Sequence, residues 1–390
     1  MKIQIDGIDT KNKGAELMLV AVLEQLEETY PNSEVWLNHT GEFNANLLPD
    51  FKLDLKTPRM RWLSKWPIKL FRRLGRPFPI TRLTRFHVRK DIDLLLDAGG
   101  FQFSDQWKLG AKQVKEKEEY YKKLNENGTR VVLLPQAFGP FKTTYGKQIV
   151  KILDHYVDLI FARDEQSYEC LVNAGAQERK INISCDITLS VKGVTPATFQ
   201  YLKGAVCVIP NHKMISPKKN NKEEYIGLLK NIIDFYEKKG QPVFMLNHEG
   251  FRDKNLCDQV NAAREKKIPV VSGITAQEVK GLIGNSYTVI SSRFHGVVSA
   301  LSQGVPCLAT SWSHKYEMLF KDFGQQDRIL TEEVGWAINR EKILTLEQNH
   351  ETITENIKAA KAPLLLETKK MWELALTIKV VSNKLCKHDY

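Results

Sequence analysis

Short apolar runs alternate with segments of helical period nearly throughout the chain, the pattern of parallel sheets covered by helices. In the first half the runs predict strands at 3–6, 34–37, 94–97, 130–134 and 159–162. The 3.6-residue period predicts helices over 15–29, 111–125, 145–154 and 165–174, with Asn127-Gly128 and Ala174-Gly175 as helix-ending residues. After residues 193–196 the pattern restarts. Strands are expected at 205–209, 243–246, 270–271, 288–291 and 307–309, and helices at 223–239, 256–265, 276–283 and 297–303. Residues 344–385 are helical in composition, with Pro363 as the one breaker.

A chain of 390 residues is too long for one ordinary core. The restart near residue 195 therefore predicts an α/β protein of two Rossmann-like domains, 1–195 and 196–345, facing across a cleft, with a helical tail at 346–390. Hydrophobic residues at 42% and charged residues at 26% are ordinary globular values, which argues against disorder. There is no apolar run of the roughly 18 residues a membrane span needs. The N-terminus meets Asp6 after three apolar residues, so no signal peptide is expected. The six scattered cysteines form no C-x-x-C pair and read as reduced thiols, so a cytoplasmic protein is expected.

Charge changes this picture locally. Lys and Arg number 57 against 46 Asp and Glu, a net charge of +11. Residues 59–90 hold eleven Lys or Arg and no acid, so this one stretch equals the whole excess. A generally basic protein would point to nucleic acid, whereas one basic segment points to a local docking surface. The stretch also carries Trp62, Trp66, Leu70, Phe71, Phe78 and Phe86. Basic residues beside interfacial tryptophans suit a peripheral membrane contact; the bland alternative is a solvated loop or a helix whose aromatics complete a core.

Parallel α/β domains bind ligands outside the C-terminal ends of their strands. Asn12 and Gly14 lie between the first strand and first helix, where a helix N-terminus after glycine can receive an anion. Neither G-x-G-x-x-G nor a Walker lysine pattern is present, so dinucleotide and ATP binding are unsupported. Gly99 and Gly100 follow the strand at 94–96 and let backbone amides approach an anion, or simply make a tight turn. Gln136 stands at another strand end, either donating to a ligand or capping its loop. Arg163 stands where a strand gives way to a helix capped by Asp164. Its fork fits phosphate or carboxylate, with a structural salt bridge to Asp186 as the alternative.

The strongest constellation is Ser291-Ser292-Arg293-Phe294-His295-Gly296. In extended geometry Arg293 and His295 would share one face. The positive end of the following helix would favour neutral imidazole, which can take and return a proton, or merely cap the helix. No second histidine or acid stands at metal-ligand spacing, and His314-Lys315-Tyr316 lies one strand further on.

At these residues the chain resembles the polysaccharide pyruvyl transferase family. The matching segments are 12–16, 97–107, 134–141, 162–167 and, most specifically, 291–316 with its S-S-R-F-H-G-V-V-S-A-L-S-Q-G-V-P run. The resemblance implies a glycosyltransferase-B-like pair of domains with the site in the cleft. It implies phosphoenolpyruvate as donor and a sugar of a cell-surface polymer or its precursor as acceptor; no cofactor is expected, and the residues themselves offer no metal site. His295 would be the essential histidine, Arg163 an arginine acting on the donor, and Arg293 a second anion-binding group. Asn12, Gly14, Gly99, Gly100, Gln136, Ser292 and Lys315 would line the substrates. Family members often have Gly-Asp in the first loop, where this chain has Gly14-Ala15-Glu16. Lipid-linked acceptors are the preferred expectation, given the basic aromatic segment.

Two other readings compete. A nucleotide-sugar glycosyltransferase would share the two domains and the Gly304-Val305-Pro306 turn, but Ser299 stands where a ribose-binding glutamate is expected. A membrane-associated scaffold with a decayed site would not need Arg163, Arg293 and His295 together.

Overall fold

The first apolar run becomes β1 (Lys2–Asp6), paired in parallel with β2 (Glu34–Asn38) on one side and β4 (Leu94–Asp97) on the other. The computed structural model describes residues 1–38, 55–56, 91–215, 221–310 and 315–377. The basic aromatic segment 59–90 and His314 lie outside the described residues. With β3 (Leu55–Lys56), β5 (Arg130–Gln136), β6 (Leu159–Ala162) and β7 (Ile181–Ile183), these strands form a seven-stranded sheet ordered 3-2-1-4-5-6-7. Its helices are α1 (Lys13–Thr29), α2 (Ala111–Glu126), α3 (Thr144–Tyr156) and α4 (Glu165–Asn173).

A second parallel sheet is built from β8 (Val206–Ile209), β9 (Val243–Leu246), β10 (Val270–Val271), β11 (Val289–Ser291), β12 (Cys307–Thr310) and β13 (Ile329–Leu330). Its order is 10-9-8-11-12-13, the same winding as the first. Helices α5 (Lys222–Lys238), α6 (Gly250–Ala262), α7 (Ala276–Gly284), α8 (Phe294–Leu301) and α9 (Lys315–Asp322) accompany it. Every residue of β4, β8, β9 and β12 is buried. Burial on both faces is why these strands read as unbroken apolar runs. The strands that escaped the sequence reading, β3, β7 and β13, have two or three residues each.

In such sheets ligands bind where the strand order reverses. Here the reversals fall between β1 and β4 and between β8 and β11, and the two crevices face one another. Asn12 at the start of α1 bridges to Glu249 after β9, and Lys13 N donates to His248 O at 3.3 Å. Glu16, fully buried in α1, accepts from the Ala276 amide of α7 at 2.7 Å and from Lys13 Nζ at 2.6 Å. The Gly14-Ala15-Glu16 departure from the family pattern thus carries an interdomain strut.

The last helices of the described residues are α10 (Gly335–Gln348) and the 27-residue α11 (His350–Leu376). Pro363 lies inside α11 and does not end it, against the sequence expectation. Proline removes one helical hydrogen bond, but separate cores hold the two ends of this helix. Ile353 and Ile357 belong to the core of the second domain, whereas Met371, Trp372, Ala375 and Leu376 belong to that of the first. Tyr30 Oη donates to Leu376 O at 2.6 Å and closes the return. No helix of the described residues is long and apolar enough to cross a membrane. The five described cysteines are free thiols.

Candidate active site

Ser291 ends β11, and Arg293 is the N-cap of α8 in extended conformation (φ −109°, ψ 128°). His295 is therefore the second residue of the helix, whose start lies three residues before the predicted one. The expectation that Arg293 and His295 share one face is corrected: the helical turn sends their side chains to different partners. His295 turns toward the first domain, where Nε2 lies 3.4 Å from Asp186 Oδ2. Arg293 turns toward the loop after β9. Its Nε donates to Asp253 Oδ2 at 2.8 Å, Nη2 lies 2.6 Å from the same oxygen, and Nη1 pairs with Glu249. Two carboxylates thus fill the fork that was expected to hold the donor.

Asp186 gathers one side of the site. It follows β7 and is 2% exposed. It accepts from Arg163 Nη1 at 3.1 Å, from Thr188 N at 3.0 Å and from Thr188 Oγ1 at 2.6 Å, and it faces His295. Burial alone would raise this carboxyl, but His295, Arg163 and Thr188 outweigh it and hold it well below the usual carboxylate range. At 3.4 Å the imidazole contact is long for a hydrogen bond, and among the described residues His295 Nε2 has no hydrogen-bond partner. The salt-bridge alternative for Arg163 is what the structure contains, yet among the described residues Arg163 Nη2 also has no hydrogen-bond partner while buried. A buried unpaired donor calls for a ligand or water. The guanidinium carbon stacks 4.2 Å from the Phe294 ring centroid, which fixes its plane.

Beside this cluster opens a cleft of about 80 Å³, lined by Asn12, Asn211, Lys213, His248, Arg293, Phe294, His295, Lys315 and Tyr316. That is room for several waters or one small anionic group. Among the described residues, no carboxylate lines it. Lys315 opens α9, its Nζ 5.0 Å from the Phe294 centroid and 5.8 Å from that of Phe101. Burial, then the charges of Arg163, Lys213 and Arg293, lower its ammonium to about 7, with Asp186 opposing. Burial and then Arg293, His295 and Lys13 push His248 well below its ordinary value, and its Nδ1 has no hydrogen-bond partner. The cleft is thus cationic, with a neutral imidazole in its wall.

The remaining expected residues divide by partner. Asn12 caps α1, accepting from Gly14 N at 2.8 Å, and donates to Glu249 at 3.2 Å. Gly14 serves packing: a Cβ there would overlap His295 Nδ1 and come within 2.6 Å of its Cγ. Gly99 N donates to Asp97 Oδ1 at 2.9 Å, so the tight-turn reading describes it. Gly100 faces the histidine, a Cβ there reaching 4.0 Å from His295 Cε1. Gln136 is fully buried with both side-chain polar atoms unpaired, and so caps nothing. Ser292 is closed to substrate, its hydroxyl bonded at 2.6 Å to both Tyr225 Oη and Thr310 Oγ1.

The sequence pattern of polysaccharide pyruvyl transferases matches residues 12–314. The chain belongs to that family. Membership makes the chain a transferase, and the matched span begins at the Asn12 cap and ends just before Lys315, enclosing the whole cleft but one lysine and Tyr316. No curated protein is close enough in sequence to be matched. Solved structures share the fold at low identity. A putative UDP-N-acetylglucosamine 2-epimerase from Listeria monocytogenes aligns with TM-score 0.56 and 14% identity over 96% of this chain and 97% of its own. Anabaena HepE in complex with UDP-glucose gives 0.56 and 16%, over 96% and 98%. UDP-GlcNAc 2-epimerase from Neisseria meningitidis, bound to UDP-GlcNAc, gives 0.57 and 12%, over 96% and 100%. The pyruvyl transferase therefore has the glycosyltransferase-B-like architecture.

Sequence reasoning named Asp186 only as a partner and missed Asn211, Lys213, His248, Glu249 and Asp253. A signal was present: Pro210–Lys213 and Asn247–Gly250 directly follow the apolar runs of β8 and β9, at strand ends of the kind searched elsewhere.

Proposed function

We propose that this transferase moves pyruvate from phosphoenolpyruvate onto a sugar of a cell-surface polysaccharide or its precursor as a ketal, releasing phosphate. The observation that carries the reading is His295 held against the Asp186–Arg163 pair beside a cleft lined by the cations Lys213 and Lys315. The donor carries a carboxylate and a phosphate. Lys213, Lys315 and the unpaired Nη2 of Arg163 supply charge-assisted donors for them. Arg293, its fork filled, anchors the wall beside His295.

Ketal formation joins two sugar oxygens to the donor's C2 and breaks the C2–O bond to phosphate. Two hydroxyl protons leave the sugar; one is delivered to the methylene carbon, which becomes the methyl, and the other departs with phosphate. His295 is the group placed to carry such a proton, with Asp186 stabilising its charged form while Arg163 offsets the departing negative charge. The scheme uses no cofactor. The acceptor we propose is lipid-linked, met through the basic segment 59–90, and the protein works in the cytoplasm at the membrane's inner face.

Ser299, where a nucleotide-sugar enzyme would place its ribose-binding acid, is buried in the packed side of α8 at 2% exposure. The test is turnover in D₂O. The proton on His295 exchanges with solvent, so the methyl of the product ketal gains one deuterium; a fully protonated methyl, or no ketal, refutes the scheme.

A further inference from the structure

The loop after β4 reaches from the histidine to the surface. Gly100 stands next to His295, and the next residue, Phe101, carries Lys315 Nζ 5.8 Å from its ring centroid. Phe101 in turn meets Trp107 edge to face, centroids 5.7 Å apart at 62°. Phe294 begins the same series at the other end, between Arg163 at 4.2 Å and Lys315 at 5.0 Å. Cations and rings thus alternate from the buried Arg163 through Phe294, Lys315 and Phe101 to Trp107, which is 44% exposed.

The turn that presents Trp107 is rigid. Phe103 is fully buried and stacks on Phe138 at 6.0 Å. Ser104 caps the 3-10 turn Asp105–Trp107. Asp105 accepts from Lys142 N at 2.5 Å, Thr143 N at 2.9 Å and Thr143 Oγ1 at 2.5 Å. An indole held this firmly loses little entropy when a ligand covers it. Trp107 is the exposed ring of this turn. A ring with an apolar face and a polar N–H edge suits a pyranose, whose C–H face is apolar and whose hydroxyls radiate from its rim. Gln106 precedes it in sequence, exposed, with an amide group that matches hydroxyls.

We infer that Trp107, backed by Phe101, is the platform on which the acceptor sugar stacks, Lys315 standing between that sugar and the His295 cluster. The inference rests on the pyruvyl-transfer reading for the identity of the acceptor and on the ring series for its place.

The test is saturation-transfer NMR on the full chain with methyl glycosides of glucose, galactose, mannose and the N-acetylhexosamines. It compares wild type, Trp107→Ala and Trp107→Phe, with phosphoenolpyruvate binding measured by calorimetry on all three. The expected result is transfer to at least one glycoside, weakened about tenfold in Trp107→Ala (about 1.4 kcal/mol), restored in Trp107→Phe, with donor binding unchanged. Equal transfer in wild type and Trp107→Ala, or none to any glycoside in the wild type, overturns the platform. Donor binding reports separately: glycoside binding that depends on Trp107 in a protein that ignores phosphoenolpyruvate keeps the platform and refutes the pyruvyl reading.

Discussion

The backbone of Gly14 lies against the imidazole of His295, so close that a side chain at residue 14 would occupy the space of the ring. One residue comes from the first helix of one domain and the other from the first turn of a helix in the other. The position of the histidine is therefore set by how the two domains meet. Gly14→Ala is expected to displace His295 from Asp186 and lower turnover by about 10²-fold, of the order of a lost acid–base group, with little change in helix content. Steady-state turnover alongside far-UV circular dichroism checks this.

Asp186 is ionised between a buried arginine and the histidine. Asp186→Asn leaves Arg163 buried without its counter-charge, a loss of about 3–5 kcal/mol for a buried pair. The sign follows from its lowered folded-state value. The contribution is present above the unfolded-state value near 4 and is lost as pH falls through the folded one. Denaturant titrations of wild type and variant are expected to differ most at pH 7 and to converge in strong acid.

Lys315 titrates at about 7, so its charge is present below that pH and lost above it. If it grips the donor, KM for phosphoenolpyruvate rises between pH 6 and pH 8. Lys315→Arg, always charged, flattens that rise, and Lys315→Met holds KM high across the range. Initial rates at varied donor concentration and pH decide the matter.

Asp6 and Asp97 are register partners at the ends of β1 and β4, both buried. Burial, then the neighbouring Asp97, raises Asp6 to about 6 against the hydrogen bonds of Tyr120, Gln4 and Asn38. A raised carboxyl favours the folded state when protonated, so stability from this group falls as pH rises from about 4 through 6 and stays lower above. Asp6→Asn is expected to remove that fall and stabilise the protein at pH 7 by on the order of 2–3 kcal/mol. Chemical denaturation at pH 4 and pH 7 measures it.

The doubly wound architecture was legible because strands buried on both faces, such as Leu94–Asp97 and Val243–Leu246, have no polar face to blur the period. Pro363 misled because local propensity weighs one hydrogen bond, whereas α11 is held at each end by a different core. His295 and Arg163 drew notice by their places at strand ends. What they touch was not legible: Asp186, 109 residues before the histidine, reaches it only through the meeting of the two domains. The same limit explains Arg293. Its type and position fit an anion site, but Asp253 and Glu249 were brought to it by the loop and helix after β9.

The most direct test of the account is phosphate release from phosphoenolpyruvate with a mixed pool of lipid-linked and nucleotide-linked sugars, comparing wild type with His295→Ala. The account predicts release that depends on acceptor and falls about 10²–10⁴-fold in the variant. Release that persists undiminished in His295→Ala would contradict the role given to the histidine, and no release with any acceptor would contradict the reaction itself.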